Sequence, residues 1–214
     1  MKRALLVSSV GILLLLSIAT LTAVQASSSG TIELIGKEWD HDPLLVYIHA
    51  PPPFQAYVDH ISTALNDWSS GLKGAANNFT AFNFQIVDSR KDTDIIIQIQ
   101  KGAYAGILGF TKLQDINGDG YIDKVIITVK VGLGATEEDF RNVIRHEIGH
   151  ALGLGHEITI EPDLMDPTYD ASATNSDVLP SDLDIEALLY IYRSDGFGGE
   201  NLPPNQIPST YPPS

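Results

Sequence analysis

The chain of 214 residues contains no cysteine, so disulfide bonds cannot contribute to the stability of its fold. Basic residues are also scarce, with 13 Lys and Arg against 27 Asp and Glu and a formal net charge of −14 at pH 7. Such a charge disfavours binding to nucleic acid or to anionic membrane surfaces, because both repel an acidic protein. The composition therefore predicts a function that requires neither partner.

Long hydrophobic runs are scarce as well, and the one clear example lies at the N-terminus. Residues 4–24 are apolar apart from scattered Ser and Thr, they follow Lys2 and Arg3, and they lead to a Val-Gln-Ala sequence that ends at Ala26. This pattern predicts a signal peptide over residues 1–26 and a secreted protein. An uncleaved membrane anchor is the alternative, because the run approaches the ~20 residues that span a bilayer.

The remaining sequence predicts one domain over residues 27–195, followed by a Pro-rich C-terminal tail over 196–214. Strands are predicted at 43–50, 82–87, 94–100 and 124–131. Helices are predicted at 54–72 and 181–192, and a further helix begins at Thr136 and continues through the 146–151 segment. The alternation of strands and helices favours a mainly parallel sheet, with a short hairpin that places an antiparallel strand at one edge. The fold class is therefore α+β.

The segment His146-Glu-Ile-Gly-His-Ala-Leu-Gly-Leu-Gly-His156 carries the clearest functional signal. His146 and His150 are four residues apart, so on a helix they share one face and can bind one metal ion. A turn at Gly153, which adopts positive φ without steric cost, returns His156 as a third nitrogen ligand. Three imidazoles leave one position of a tetrahedral Zn²⁺ open, which is typical of catalytic sites. Glu147 is then the predicted general base, the group that accepts a proton from the attacking water.

These residues resemble the matrixin type of metzincin, the family of the matrix metalloproteinase catalytic domain. The resemblance covers most of residues 37–196 and includes Trp68, the strand at 94–100, the segment 106–109, the motif at 146–156, Leu164-Met165 with Pro167 and Tyr169, and the run 180–185. It implies a twisted mixed five-stranded sheet with two long helices, a Met-turn and a C-terminal helix. It also implies that Met165 lies beneath the zinc and that Tyr169 lines the pocket wall. Pro167 stands where some metzincins have a Tyr ligand, so no fifth ligand is expected.

A second candidate metal site is the acidic segment from Asp115 to Asp123. Asp115, Asn117, Asp119, Tyr121 and Asp123 occupy alternate positions, as in an EF-hand calcium loop. The carboxylate expected at position twelve is replaced by Ile126. The alternative is a hairpin turn favoured by its Asn-Gly and Asp-Gly pairs.

Together these patterns predict a monomeric, secreted zinc endopeptidase with Zn²⁺, and with Ca²⁺ in the acidic loop, as its cofactors. Its peptide or protein substrate is expected to lie extended beside strand 124–131, taken as the edge of the sheet. Two alternatives remain open at this stage. One is an exported zinc aminopeptidase or amidase, and the other is a metal-binding module without catalytic activity.

Overall fold

The computed structural model describes residues 30–75, 82–158, 163–167, 176–192 and 204–212. Within these ranges the strands are β1 (Thr31–Leu34), β2 (Leu44–His49), β3 (Phe84–Val87), β4 (Ile95–Ala105), β5 (Ile107–Gln114), β6 (Lys124–Leu133), β7 (Leu154–Ile158) and β8 (Thr210–Tyr211). The helices are α1 (Val58–Ala75), α2 (Glu137–Ala151) and α3 (Asp182–Tyr192), with short 3-10 helices at Pro52–Tyr57 and Pro204–Gln206.

The larger sheet has five strands in the order β3-β2-β4-β6-β5. The first four strands are parallel to one another, whereas β5 is antiparallel to β6. Branched aliphatic residues alternate along the two central strands and are fully buried, among them Ile95, Ile97, Ile99, Val125, Ile127 and Val129. This arrangement confirms the predicted α+β class with a mixed five-stranded sheet.

The two long helices pack against each other on this sheet. The indole N–H of Trp68 in α1 donates a hydrogen bond to the backbone oxygen of Arg145 in α2, at 2.9 Å. Helix α2 begins with a capping box, in which Thr136 and Asp139 each accept a hydrogen bond from the other's backbone N–H. Its apolar face is fully buried through Phe140, Ile144 and Ile148. His146 and His150 lie on the opposite face of α2 and are only half-buried.

Strand β5 is the edge strand next to α2. The prediction that residues 124–131 form the edge of the sheet was wrong. Those residues belong to β6, which is hydrogen-bonded to β4 on one side and to β5 on the other. The strand Ile107–Gln114 was missed because Gly106 and Gly109 lower its strand propensity. Among the described strands, the free backbone edge beside the metal-binding motif therefore belongs to β5.

A second sheet of three strands, in the order β7-β1-β8, was not predicted. Strand β1 pairs with β7 and β8, both antiparallel, so it joins segments more than 100 residues apart in the chain. Part of the Pro-rich tail therefore lies against the domain, and Pro204 is buried. None of the described helices is long and apolar enough to cross a bilayer.

Candidate metal centre and active site

Helix α2 and the turn that follows it present the first two histidines. His146 and His150 lie one helical turn apart, with ring centroids separated by 4.6 Å. The helix ends at Ala151, and Gly153 then adopts a φ of 104°. A Cβ at this position would also lie 2.6 Å from the backbone oxygen of Lys37. Glycine is required here both for the turn and for the close approach of the N-terminal segment.

Strand β7 brings His156 to the same place. Its ring centroid lies 5.5 Å from that of His146 and 4.9 Å from that of His150. One nitrogen from each ring can be chosen so that all three lie within 4.8 Å of one another. Among the described residues, no other group of three or more His, Asp or Glu side chains meets this criterion. The three imidazoles therefore form a donor set that fits a single metal ion.

Backbone carbonyls orient two of the three rings. Nδ1 of His146 lies 2.7 Å from the Leu164 oxygen, and Nδ1 of His150 lies 2.8 Å from the Leu154 oxygen. A carbonyl only accepts, so each Nδ1 carries the proton and each Nε2 keeps its lone pair for a metal. Burial lowers the pKa of His146, and it lowers the pKa of His150 to about 4. Burial thus favours the neutral form of both rings, which is the form that metals bind.

Glu147 lies on the same helix, between the two histidine ligands. Its side chain is 5% exposed, and Oε2 accepts a hydrogen bond from the Thr111 hydroxyl of β5 at 2.5 Å. Burial raises the pKa of Glu147 to about 7, although the hydrogen bond from Thr111 opposes this shift. A carboxyl group with such a pKa can both accept and release a proton near neutral pH.

The turn around Met165 lies beneath α2. Met165 is fully buried, and its backbone oxygen accepts a hydrogen bond from Glu157 N at 2.9 Å. A Cβ on Gly149 would lie 2.5 Å from the Met165 sulfur, so this side chain packs directly against the histidine-bearing helix. The neighbouring Leu164 accepts the hydrogen bond from His146. The other residue expected in this region, Tyr169, lies outside the described residues.

A cleft of about 380 Å³ opens over the three histidines and Glu147. One wall is β5, from Ile107 to Thr111. The rest combines apolar and polar side chains of α2 and of the segments after β7, namely Asn142, Val143, Asp163, Leu164, Asp166, Pro167 and Val178. An extended chain can therefore lie against an open strand edge and pass over the histidines.

Comparison with known proteins agrees with this geometry. The family model described as Matrixin matches residues 47–193, more than half of the chain. The chain belongs to the matrixin family. The match begins within β2 and includes the other four strands of the five-stranded sheet, the three histidines of the motif and Glu147.

Two curated relatives are matrix metalloproteinases by name. Metalloendoproteinase 2-MMP of Arabidopsis thaliana is 31% identical over 147 residues, which is 62% of this chain and 38% of the relative. Matrix metalloproteinase-B of Caenorhabditis elegans is 32% identical over 102 residues, 48% of this chain and 18% of the relative. The matched region thus spans less than half the length of either relative.

Among solved structures, that of myroilysin matches with a TM-score of 0.35 and 18% identity. The match covers 59% of this chain and 55% of that of myroilysin. A similarity at this level does not bear on the function of the matrixin described here.

The acidic loop of this matrixin forms the hairpin between β5 and β6. Asp115 accepts hydrogen bonds from the N–H groups of Gly118 and Gly120 and forms an ion pair with Lys37 at 2.7 Å. Gly118 and Gly120 have φ of 79° and 96°. These contacts account for the loop as a hairpin turn. Its three carboxylates do not converge on a common point in the described structure.

Thr111 was not singled out from the sequence, and Gly109 was named only as part of the segment 106–109. Thr111 and Gly109 both contact Glu147 from β5, and a Cβ on Gly109 would lie 2.6 Å from Glu147 Cγ and Cδ. In the structure, residues 107, 109, 111 and 113 are less exposed than 108, 110 and 112, but the sequence carries no matching alternation because the exposed positions include Leu108 and Phe110. A strand with this period places Gly109 and Thr111 on one face.

Proposed function

We propose that this matrixin is a secreted zinc-dependent endopeptidase. The observation that carries the proposal is the convergence of three imidazole donors and a buried carboxyl group in one cleft, beside a strand edge that has no partner among the described residues. Secretion is supported by the signal-peptide pattern of residues 1–26, which lie outside the described residues.

His146, His150 and His156 are the residues that would hold the zinc ion. The carbonyl partners of His146 and His150 restrict ring rotation, so the donor set is organised by the fold. Zinc in such a site supplies a Lewis acid that polarises the scissile carbonyl group and makes water more acidic. Three nitrogen donors without a fourth protein ligand are typical of catalytic zinc sites.

Glu147 is the proposed general base and, later in the reaction, the general acid. Oε2 is occupied by the Thr111 hydroxyl, whereas no described residue donates a hydrogen bond to Oε1. Oε1 is therefore the oxygen available to an attacking water molecule. We propose that Glu147 takes a proton from this water as it attacks the carbonyl carbon and then delivers the proton to the departing amine nitrogen.

The substrate is proposed to be a peptide or protein segment in extended conformation. On the side away from β6, β5 has no strand partner among the described residues, so its backbone groups can pair with such a segment. The cleft wall formed by this strand leads directly to Glu147. We propose that the protein acts as a monomer.

The experiment compares hydrolysis of casein and of aminoacyl reporter amides by zinc-loaded protein, with and without chelator. Chelator-sensitive cleavage of casein is the expected result. Cleavage of the aminoacyl amides alone would instead identify an aminopeptidase or amidase, and zinc binding without any hydrolysis would identify a metal-binding module. Glu147→Ala should abolish cleavage and keep about one zinc per chain, whereas His156→Ala should lose both. Activity of Glu147→Ala above a few per cent of the parent would contradict the role of Glu147.

We also propose calcium binding by the acidic loop, from Asp115, Asn117, Asp119, Tyr121 and Asp123. The alternate spacing of their oxygen ligands supports this proposal. Binding would require the carboxylates of Asp115, Asp119 and Asp123 to turn toward one another, because some of their oxygens now accept backbone N–H groups. Ionic attraction between a divalent cation and these three carboxylates favours such a rearrangement.

A further inference from the structure

A hydroxyl group on β5 lies against the proposed catalytic carboxyl group. Oγ1 of Thr111 is 2.5 Å from Oε2 of Glu147 and 3.0 Å from the backbone oxygen of the same residue. The two acceptors belong to one residue of α2, so the contact joins the edge strand to the helix at the general base. The periodicity of a single helix or strand cannot produce this contact, because the two residues are 36 positions apart.

The neighbouring backbone leaves room for the Glu147 side chain. Gly109 is two residues before Thr111 on β5, and a Cβ there would lie 2.6 Å from both Cγ and Cδ of Glu147. Carbon atoms do not approach this closely, so the side chain of Glu147 occupies the volume that any other residue at position 109 would fill. Gly109 and Thr111 thus confine the carboxyl group from two directions.

We propose that Thr111 is a positioning residue that holds Glu147 in its reactive orientation, with Gly109 providing the space in which it is held. The inference rests on the proposed peptidase function and extends it to residues outside the metal-binding motif. By engaging Oε2, the hydroxyl leaves Oε1, which lies next to the backbone of Gly109, as the oxygen without a hydrogen-bond donor among the described residues. Orientation of this kind matters because a misplacement of about 1 Å can cost a factor of about 100 in rate.

The hydroxyl can also keep its hydrogen bonds when Glu147 gains a proton. A threonine hydroxyl has one proton to donate and two lone pairs that accept. Beside the carboxylate, Thr111 donates to Oε2. If the proton taken from water resides on Oε2, that group donates to Oγ1 and Thr111 donates to the Glu147 backbone oxygen instead. If the proton resides on Oε1, the original hydrogen bond remains. No atom other than protons has to move in either case.

The test uses three variants of the full zinc-loaded chain. Thr111→Val replaces the hydroxyl with a methyl group of similar size, and Thr111→Ser keeps the hydroxyl. The matched control is Thr128→Val on the adjacent strand β6, because Thr128 also takes part in a part-buried side-chain hydrogen bond, with Gln98 at 2.8 Å. Thr128 pairs with Phe110 in the sheet and does not line the cleft. For each protein, kcat and KM for a fluorogenic peptide, the zinc content and the melting temperature are measured.

We expect Thr111→Val to lower kcat about 10- to 100-fold with KM changed less than about threefold, because the hydroxyl orients the base and not the substrate. Thr111→Ser should restore kcat to within about threefold of the parent, and Thr128→Val should match the parent. Zinc content should stay near one per chain throughout. Gly109→Ala should lower kcat as well, since the added methyl group displaces the carboxyl group.

The inference is overturned if Thr111→Val keeps kcat within about twofold of the parent, if Thr111→Ser is as slow as Thr111→Val, or if Thr128→Val shows the same loss. These outcomes leave the peptidase function intact, because they compare variants with an active parent. A zinc-loaded parent that cleaves no peptide would instead refute the proposed function, and with it the role of Thr111.

Discussion

Replacing Gly149 with alanine tests how tightly the floor of the metal centre is packed. Gly149 lies in α2 next to His150 and faces the turn that carries Met165. A Cβ at this position would lie 2.5 Å from Met165 Sδ and 3.0 Å from Trp68 Cζ2. Trp68 is fully buried and is held by its hydrogen bond to Arg145, so Met165 is the side chain that must move.

The size of the effect follows from two opposing contributions. Forcing an extra methyl group into a filled core costs about 1–3 kcal/mol. Alanine within a helix is more stable than glycine by about 0.5–1 kcal/mol, which offsets part of that cost. The net loss is about 0–2.5 kcal/mol in the free energy of unfolding, with a midpoint near 1 kcal/mol, which lowers the melting temperature of a domain of this size by up to about 10 °C.

The same substitution should weaken zinc binding. Met165 follows Leu164, whose backbone oxygen accepts the hydrogen bond from Nδ1 of His146. If Met165 shifts, this carbonyl shifts with it and His146 loses part of its orientation. Disturbing such a partner of a metal ligand typically costs a factor of about 10–100 in metal affinity.

The assay compares thermal unfolding of zinc-free protein and competitive zinc titration for the parent and Gly149→Ala. The matched control is Gly71→Ala in α1, where the new Cβ would approach only the flexible Ile185 side chain, with Cδ1 at 2.8 Å. This control should show a much smaller loss and an unchanged zinc affinity. A Gly149→Ala protein that melts at or above the temperature of the parent, with the same zinc affinity, would refute the packing argument.

Two further predictions concern carboxyl groups away from the catalytic residues. Burial raises the pKa of Asp184 to about 7, so its ionised form is disfavoured in the folded state. The free energy of unfolding of the parent should therefore fall as pH rises from about 4 to 7. Asp184→Asn keeps an oxygen that accepts the Ser181 N–H but carries no titrating group. In chemical denaturation, its free energy of unfolding relative to that of the parent should increase over this pH range. A difference that does not change with pH would contradict the raised pKa of Asp184. If the acidic loop binds calcium, millimolar Ca²⁺ should raise the melting temperature of the zinc-loaded parent by mass action, and Asp119→Ala should remove most of the increase. A melting temperature that does not respond to calcium would leave the loop as a hairpin turn.

Much of the fold could be predicted because its signals are local. The capping box at Thr136 and Asp139, and the corresponding pair Ser181 and Asp184 at the start of α3, are recognised from residues three apart. Phe140, Ile144 and Ile148 recur at helical spacing and form the buried face of α2, and Gly153 has the positive φ predicted for the turn after this helix. Each of these features depends on neighbouring residues and on the geometry of a single element.

Features that depend on pairing between distant segments could not be predicted in this way. Strand β1 has only four residues, and its partners β7 and β8 are specified by tertiary packing. The edge position was assigned to residues 124–131 because the glycines of 106–109 weakened the strand signal of β5, and only the pairing on both sides of β6 places that edge at Ile107–Gln114.

The amino-acid sequence by itself determined the chemistry of the centre, because His146, Glu147, His150, Gly153 and His156 lie within eleven consecutive positions and their geometry follows from one helix and one turn. The tertiary structure determined the environment of these side chains. It placed the Leu164 carbonyl next to His146, buried most of the Glu147 side chain and brought the Thr111 hydroxyl to its carboxyl group. Burial and long-range hydrogen bonding depend on the packing of the whole chain, so no local pattern encodes them.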